Sequence, residues 1–343
     1  MKQYILKRIL SIPIILFVLS VVIFSQVLFL SPSERLAVFI PSPEAFQNIS
    51  LDELIIRYGL DEPIHMQYLN WLKQVLKGEL GWSYSARMPV AQALALRIPA
   101  TIELLLLGQV FIFFGGFFLG TYAAVKHNRF TDYVIRFFTV LGISFPGFVL
   151  ALVLLIIFYV KLDIFPPGRL SLFAQDIVSS PEFNKYTGMY LIDSLLNRRL
   201  DVFTDALRHI ILPSIAYSVG TLAAAVRLMR SSLLENMRKD YVNTARAKGL
   251  AENIVINKHI RRNAMLPFIT FMGMEIPAML GGAVIIETVF NYPGMGTFIV
   301  TAAHGLDFPA ILGASLAIGF IIIIGNLIVD LLYRVLNPLI NLE

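Results

Sequence analysis

Gly142-Ile-Ser144-Phe-Pro-Gly147 is the nearest approach in this 343-residue chain to a serine nucleophile held on a sharp glycine elbow. Its second glycine stands one residue late, and no histidine lies near it within an apolar stretch; His209, His259 and His304 fall in polar segments or at the ends of apolar ones. Acyl chemistry at Ser144 is therefore not expected. The chain contains no Gly-x-x-x-x-Gly-Lys-[Ser/Thr] loop, so no site for ATP phosphates is expected either. His, Asp and Glu nowhere take metal-ligand spacing, and there is no cysteine to supply a thiolate or a disulfide. Apolar stretches with a recurrent Asp/Glu/His relay, the mark of a proton-driven pump, are also missing. The expectation is a non-enzyme with no metal and no cofactor of its own.

What remains is charge placed where charge is costly, and polarity placed where a partner could grip it. Glu103 and Glu275 fall inside apolar stretches, where an ionisable group normally faces a cavity or a partner. Glu275 lies deeper and is a candidate for lining a translocation pathway; Glu103 stands near the start of its stretch and could cap a helix instead. Met272 and Met279 flank Glu275 as further pathway candidates, although methionine equally suits gap-filling in a core. The densest polarity is Asp240-Tyr-Val-Asn-Thr-Ala-Arg-Ala-Lys-Gly249, followed by His259-Ile-Arg-Arg-Asn-Ala-Met-Leu-Pro267, a basic island between two apolar segments. Asp240 is expected to cap a short helix with its side chain, and Gly249 to end it in the left-handed conformation. Ala245, Ala247 and Gly249 carry almost no bulk and are expected to face another protein's surface, with Arg246 and Lys248 supplying charge at the edge.

The elements that must position these groups follow from composition. The chain is 57% hydrophobic and 15% charged, with mean hydropathy +0.73. Soluble domains carry about 25% charged residues, so this reads as an all-α integral membrane protein. Roughly twenty apolar residues cross a hydrocarbon core, and six segments approach that: Ile9–Leu30, Leu104–Val125, Phe137–Val160, Ile210–Val226, Met265–Ile286 and Phe308–Val329. The first follows Lys2, Lys7 and Arg8 as a signal core would, but it is too long and no Ala-x-Ala site follows, so it reads as a retained span. Lys and Arg gather at the N-terminus, in Lys126–Arg136 and in Arg227–Arg262, while Ser31–Ile98 and Lys161–His209 balance acids and bases. Both termini are therefore expected to be cytoplasmic; seven spans or a re-entrant segment is the alternative. The formal charge of +5 belongs to these loops, and no nucleic acid is implied.

The chain then divides into a first span (1–30), an external segment (31–98), a five-helix transmembrane core (99–335) and a tail (336–343). The core carries an external loop at 161–208 and a cytoplasmic loop at 231–264. In the external segment, Met66, Leu69, Leu72, Val75 and Leu76 recur at helical spacing and are expected to face the membrane or the spans. Gly78-Glu-Leu-Gly-Trp-Ser83 follows. Phe165-Pro-Pro-Gly-Arg169 opens the second loop, which either docks a receptor or is a lineage-specific insertion. Glu287-Thr-Val-Phe290-Asn-Tyr-Pro293-Gly294-Met-Gly296 is expected to form a tight outer turn that uses Pro293 and both glycines.

Thr244-Ala-Arg-Ala-Lys-Gly249, His259 and Arg262-Asn263-Ala-x-x-Pro267 closely resemble the coupling loop of ABC-importer permeases of the oligopeptide/dipeptide/nickel branch. The Glu287-x-x-Phe290-x-x-Pro293-Gly294-x-Gly296 run is similar to a signature of the same family. Asn243 and Thr244 replace the Glu and first Ala of the wider superfamily pattern, and Leu266-Pro267 comes late; the peptide-type branch shares both departures. The resemblance implies a type I importer permease with a coupling helix at Asp240, Tyr241 and 244–249, in a bacterial or archaeal inner membrane. It further implies a second homologous permease subunit, two ATP-binding subunits that hold the ATP and Mg, and an external substrate-binding protein. Oligopeptides, dipeptides, oligosaccharides and nickel are the cargoes it leaves open. A secondary transporter or channel working without an ATPase is the alternative of a different class.

Overall fold

The computed structural model describes residues 2–39 and 50–336. In chain order the helices are α1 (Lys2–Val27), α2 (Pro32–Phe39), α3 (Leu51–Arg57), α4 (Ile64–Leu76), α5 (Val90–Val125), α6 (Phe130–Ser144), α7 (Gly147–Leu155), α8 (Leu172–Ser179), α9 (Tyr190–Leu196), α10 (Leu200–Asn236), α11 (Asp240–Ala247), α12 (Glu252–Ile254), α13 (Arg261–Val289), α14 (Met295–His304) and α15 (Phe308–Leu336). Turns of π-helix follow α7 at Ile156–Lys161 and α12 at Val255–Ile260, and a short antiparallel ladder pairs β1 (Trp82–Ser83) with β2 (Met88–Pro89). Two compact units result. One holds the chain up to Thr101 together with Pro293–Leu331; the other is Ile102–Tyr292.

Among the described residues four helices are long and apolar enough to cross a membrane: Leu10–Val27, Val90–Val125, Leu200–Asn236 and Phe308–Val329. A fifth span forms if α6 and α7 count as one, but they meet at 107°. The expected continuous span Phe137–Val160 is thus broken. Pro146 is the cause: it offers no N–H and pushes the residue before it out of the helical region, and Phe145 sits at φ −83, ψ 130. The second expected span begins fourteen residues early, because Ala91, Ala93, Leu94, Ala95 and Leu96 favour helix and carry it through Pro99. The expected Ile210–Val226 lies inside the 37-residue α10, with Pro213 buried in the helix interior. Met265–Ile286 lies inside the 29-residue α13.

In the first unit, α4 lies on α1. Tyr68 Oη and Ser20 Oγ are 2.8 Å apart, and the Trp71 ring sits 5.4 Å from that of Phe24. The apolar positions expected from spacing divide: Leu72 and Val75 turn inward together with Gln67, Tyr68 and Trp71, whereas Met66, Leu69 and Leu76 are exposed. The reason is polar as well as apolar, because Gln67 Nε2 closes the preceding turn by donating to the carbonyls of Leu60 and Glu62. The Gly78–Ser83 motif finds its role at Asp307. That buried carboxylate accepts from Ser83 Oγ at 2.7 Å, Ser85 N at 2.9 Å and Ser85 Oγ at 2.7 Å, which fastens the ladder to the start of α15.

In the second unit α10 is the axis, packed against α6, α7, α8, α9 and α13. More than half of its span is buried (56%), which makes it the interior strut of this unit. Glycines let α5 approach it. A Cβ at Gly108 would lie 2.7 Å from the Tyr217 ring, one at Gly116 2.8 Å from Ala225 Cβ, and one at Gly120 2.7 Å from Met229 Cβ. Small residues at such crossings are how apolar helices gain contact where lipid offers no hydrophobic drive.

Candidate functional site

The basic island folds as a helix standing off the end of α10. α11 covers Asp240–Ala247, with Lys239 in the capping position and no side-chain cap, so Asp240 is the first helical residue and not the expected cap. Its charge at that end still complements the helix dipole. The far end behaves as expected. Gly249 takes φ +74, its N–H bonds Arg246 O at 2.9 Å, and the Leu250 N–H bonds Ala245 O at 3.4 Å, the paired bonds of a Schellman ending. Arg246 grips Glu252 through Nε and a terminal nitrogen at 3.1 and 2.7 Å, and that contact holds the Glu252 carboxyl below its usual range.

The helix has two faces, and this reverses one expectation. Val242 and Ala245 turn inward, 0% and 6% exposed, into a core made with Met229 and Leu233 of α10, Val255 and Ile260 of the π-turn, and Ala264 of α13. Ala245 is therefore small because the chain's own core leaves no more room, not because a partner approaches it. Tyr241, Thr244, Ala247, Lys248 and Gly249 form the outer face, and a Cβ at Gly249 would meet nothing within 4 Å. Tyr241 Oη donates to Asn236 Oδ1 at 2.9 Å. His259 lies in the π-turn; Arg262 and Asn263 are exposed at the start of α13, and Pro267 is exposed within that helix, not ahead of it.

Of the pathway candidates, Glu103 faces a partner and not a cavity. It sits well inside α5, 5% exposed, with Arg169 at 2.8 Å and the Leu191 N–H at 2.6 Å. It neither lines a cavity nor caps its helix; it anchors the 161–208 segment. Arg169, itself 9% exposed, also donates to Gly188 O at 2.6 Å and lies 3.9 Å above the Tyr190 ring. Tyr292 joins this cluster, and burial, reinforced by Glu103, pushes its hydroxyl far above the ordinary phenol range. Met272 belongs to the core around α10, so it too leaves the pathway set. Met279 has a side chain outside the described residues. Glu275 is half-buried, within electrostatic reach of Tyr217, and Met274 beside it is exposed.

The outer signature also differs in detail. The left-handed residue is Asn291 at φ +49, and neither glycine adopts that conformation. Glu287 and Phe290 are buried; Tyr292 N bonds Glu287 O at 2.7 Å, and Phe290 O accepts from Gly168 N at 2.8 Å. In the other unit Pro293 is followed by Gly294, which is extended ahead of α14, and Gly296 lies buried in that helix. The Met295 N–H bonds Thr101 Oγ1 at 2.7 Å. Arg169 and Tyr190 are the residues that sequence reasoning missed; only the Pro-Pro-Gly before Arg169 hinted at a fixed turn.

Comparison with known proteins identifies the family. Residues 116–342 match the family described as binding-protein-dependent transport system inner membrane component, and residues 1–105 match the N-terminal region of such membrane components. The dipeptide transport system permease protein DppB of Escherichia coli K12 is 38% identical over 287 residues, 83% of this chain and 84% of that one. DppB of Alkalihalophilus pseudofirmus is 34% identical over 340 residues, 98% of this chain and 99% of its own length. The di/tripeptide transport system permease protein DppB of Pseudomonas aeruginosa is 37% identical over 287 residues, 83% of each. These matches show that the chain belongs to the family of inner-membrane components of binding-protein-dependent transport systems.

Proposed function

We propose that this chain is one of two homologous permease subunits of an ATP-driven importer for dipeptides or short oligopeptides. Two ATP-binding subunits sit on its cytoplasmic side and hold the nucleotide and Mg; an external binding protein delivers the cargo. The observation that carries this reading is α11, whose outer face is exposed while its inner face is packed into α10, the π-turn and α13. A push on such a helix is passed to two spans instead of being absorbed in a loop. The peptide cargo is supported by the names of the relatives, each a dipeptide or di/tripeptide permease. Proteoliposomes holding the full complex should take up a labelled dipeptide only with ATP inside and binding protein outside. Uptake by the chain without ATPase subunits would make it a secondary transporter or channel and overturn the reading.

The membrane arrangement in this proposal has six spans, α1, α5, the α6–α7 pair, α10, α13 and α15, with both termini cytoplasmic. α13 has 29 residues; at about 1.5 Å per residue it reaches roughly 43 Å, more than the ~30 Å hydrocarbon core. The native chain has no cysteine, so single substitutions report sidedness cleanly. Gln175→Cys should react with an impermeant maleimide added outside intact cells, and Arg246→Cys should not. The reverse pattern would invert the orientation.

Glu275 is the pathway acid of this reading, since a carboxylate within a span is costly unless it faces water or a partner. Glu275→Gln should cut the uptake rate at least about tenfold, roughly 1.4 kcal/mol, while membrane abundance stays at the parental level. Parental uptake by Glu275→Leu would show the acid to be incidental.

A further inference from the structure

α6 is tied to α10 at both of its ends. At the first end, Asp132 is fully buried and accepts two parallel bonds from Arg230, Nε to Oδ1 at 2.7 Å and a terminal nitrogen to Oδ2 at 2.8 Å. The same carboxylate accepts from the Asn128 N–H at 3.0 Å, which closes the left-handed turn ahead of α6 at Asn128, φ +59. His127 Nδ1 lies 3.1 Å from Arg230 on the outer side. At the second end Gly142 allows close approach: a Cβ there would fall 3.0 Å from Val219 Cγ1 and 3.3 Å from Ala223 Cβ. The break at Phe145–Gly147 follows within a turn. Beyond it, α7 lies across both α10 and α13.

We infer that Asp132 and Arg230 are positioning residues for transport: they make α6 move with α10, so that a displacement of α10 relative to α13 is taken up at the Phe145–Gly147 break. Three observations combine in this. α11 is moored on α10 and α13 together, so force applied to it acts between those two helices. A bidentate arginine–carboxylate contact fixes orientation as well as distance, which a single apolar contact does not. Residues 143–148, which flank Pro146, are exposed, so the packing of α6 and α7 on α10 and α13 lies to either side of the break and not at it. Arg230 also stands one and a half turns before the end of α10, between the load at α11 and the break. This inference rests on the reading of α11 as the ATPase contact.

The experiment uses the full complex in proteoliposomes and reads ATP hydrolysis and dipeptide uptake separately. Asp132→Asn keeps the shape and removes the charge; Arg230→Lys keeps the charge and removes the paired geometry. Each should raise the ATP consumed per peptide about tenfold with ATPase subunits still bound, Arg230→Lys less than Asp132→Asn. A second readout follows the break directly. In the parent background, maleimide labelling of Phe148→Cys should change at least threefold on adding a non-hydrolysable ATP analogue, and Asp132→Asn should abolish that response. Parental ATP-to-peptide ratios and an unchanged labelling response in both variants would overturn the inference and make the pair a static brace. Loss of ATPase binding to the parent chain would instead fail the reading of α11. If Asp132→Asn does not reach the membrane, Arg230→Lys with the Phe148→Cys probe decides the matter alone.

Discussion

Arg169→Ala should be the most damaging single substitution in the 161–208 segment. It leaves Glu103 as a buried carboxylate without its counter-charge, and breaking a buried ion pair from one side costs about 3–5 kcal/mol. Whole domains are stable by only about 5–15 kcal/mol, so the effect is large. The substitution also removes the contacts to Gly188 O and the face of Tyr190, and leaves only the Leu191 N–H bond to Glu103 among the named contacts of residues 184–196 with this cluster. The expected result is a lower melting temperature in detergent and new protease cleavage near Lys185, with the rest of the chain still membrane-inserted. A control separates charge from shape. Replacing both partners, Glu103→Leu with Arg169→Leu, should recover much of the lost stability, because apolar substitution of an entire buried pair is often neutral. A Arg169→Ala protein that melts and resists protease like the parent would show the pair to be dispensable.

Tryptophan at two neighbouring alanines of α11 should give opposite failures. Ala245 is enclosed by Val242, Val255, Ile260 and Ala264, and an indole there must displace the core that joins α11 to α10 and α13. Overpacking of this kind costs roughly 1–3 kcal/mol or more, so Ala245→Trp should lower the amount of assembled complex. Ala247 is exposed on the outer face. Ala247→Trp should leave abundance untouched and instead crowd the ATPase contact; the same 1–3 kcal/mol spent there weakens binding by about one to two decades at ~1.4 kcal/mol each. Gly249→Ala falls between them: its Cβ has room, but φ +74 disfavours any side chain by about 1 kcal/mol. Immunoblots of membranes, ATPase co-purification and uptake distinguish the three. Normal uptake by Ala247→Trp would remove α11 from the coupling path.

The membrane class and the positions of most spans were legible because a run of apolar residues has few other uses. So was the helix 240–247, bounded by its polar start and by Gly249. The orientation of that helix was readable too, since Val242 and Ala245 are three apart and Val242 is its one aliphatic residue; attention to small size hid this. Phe145-Pro146 carried a break signal that the surrounding hydropathy masked, because a hydropathy window sums residues and ignores a missing N–H. Glu103 with Arg169, 66 residues apart, and Ser83 with Asp307, 224 apart, could not be paired from a single sequence. Nothing local marks which buried carboxylate meets which donor; only the fold decides. For the same reason Glu103 looked like a pathway acid, since the sequence shows depth but not company.

The length of α10 sets the scale of any movement it transmits. Its 37 residues span roughly 55 Å at about 1.5 Å each, so about 25 Å project beyond a ~30 Å hydrocarbon layer. Pivoted near its middle, such a rod needs a tilt of only about 10° to swing each tip through ~5 Å, close to the 5.4 Å of one helical turn. For a rigid helix the displacements at its α11 end and at its Leu200 end would then be equal and opposite. A shift the size of one turn is what lets packed side chains exchange one set of neighbours for the next. In a long, well-buried helix a small rotation would thus become a discrete step at both of its ends.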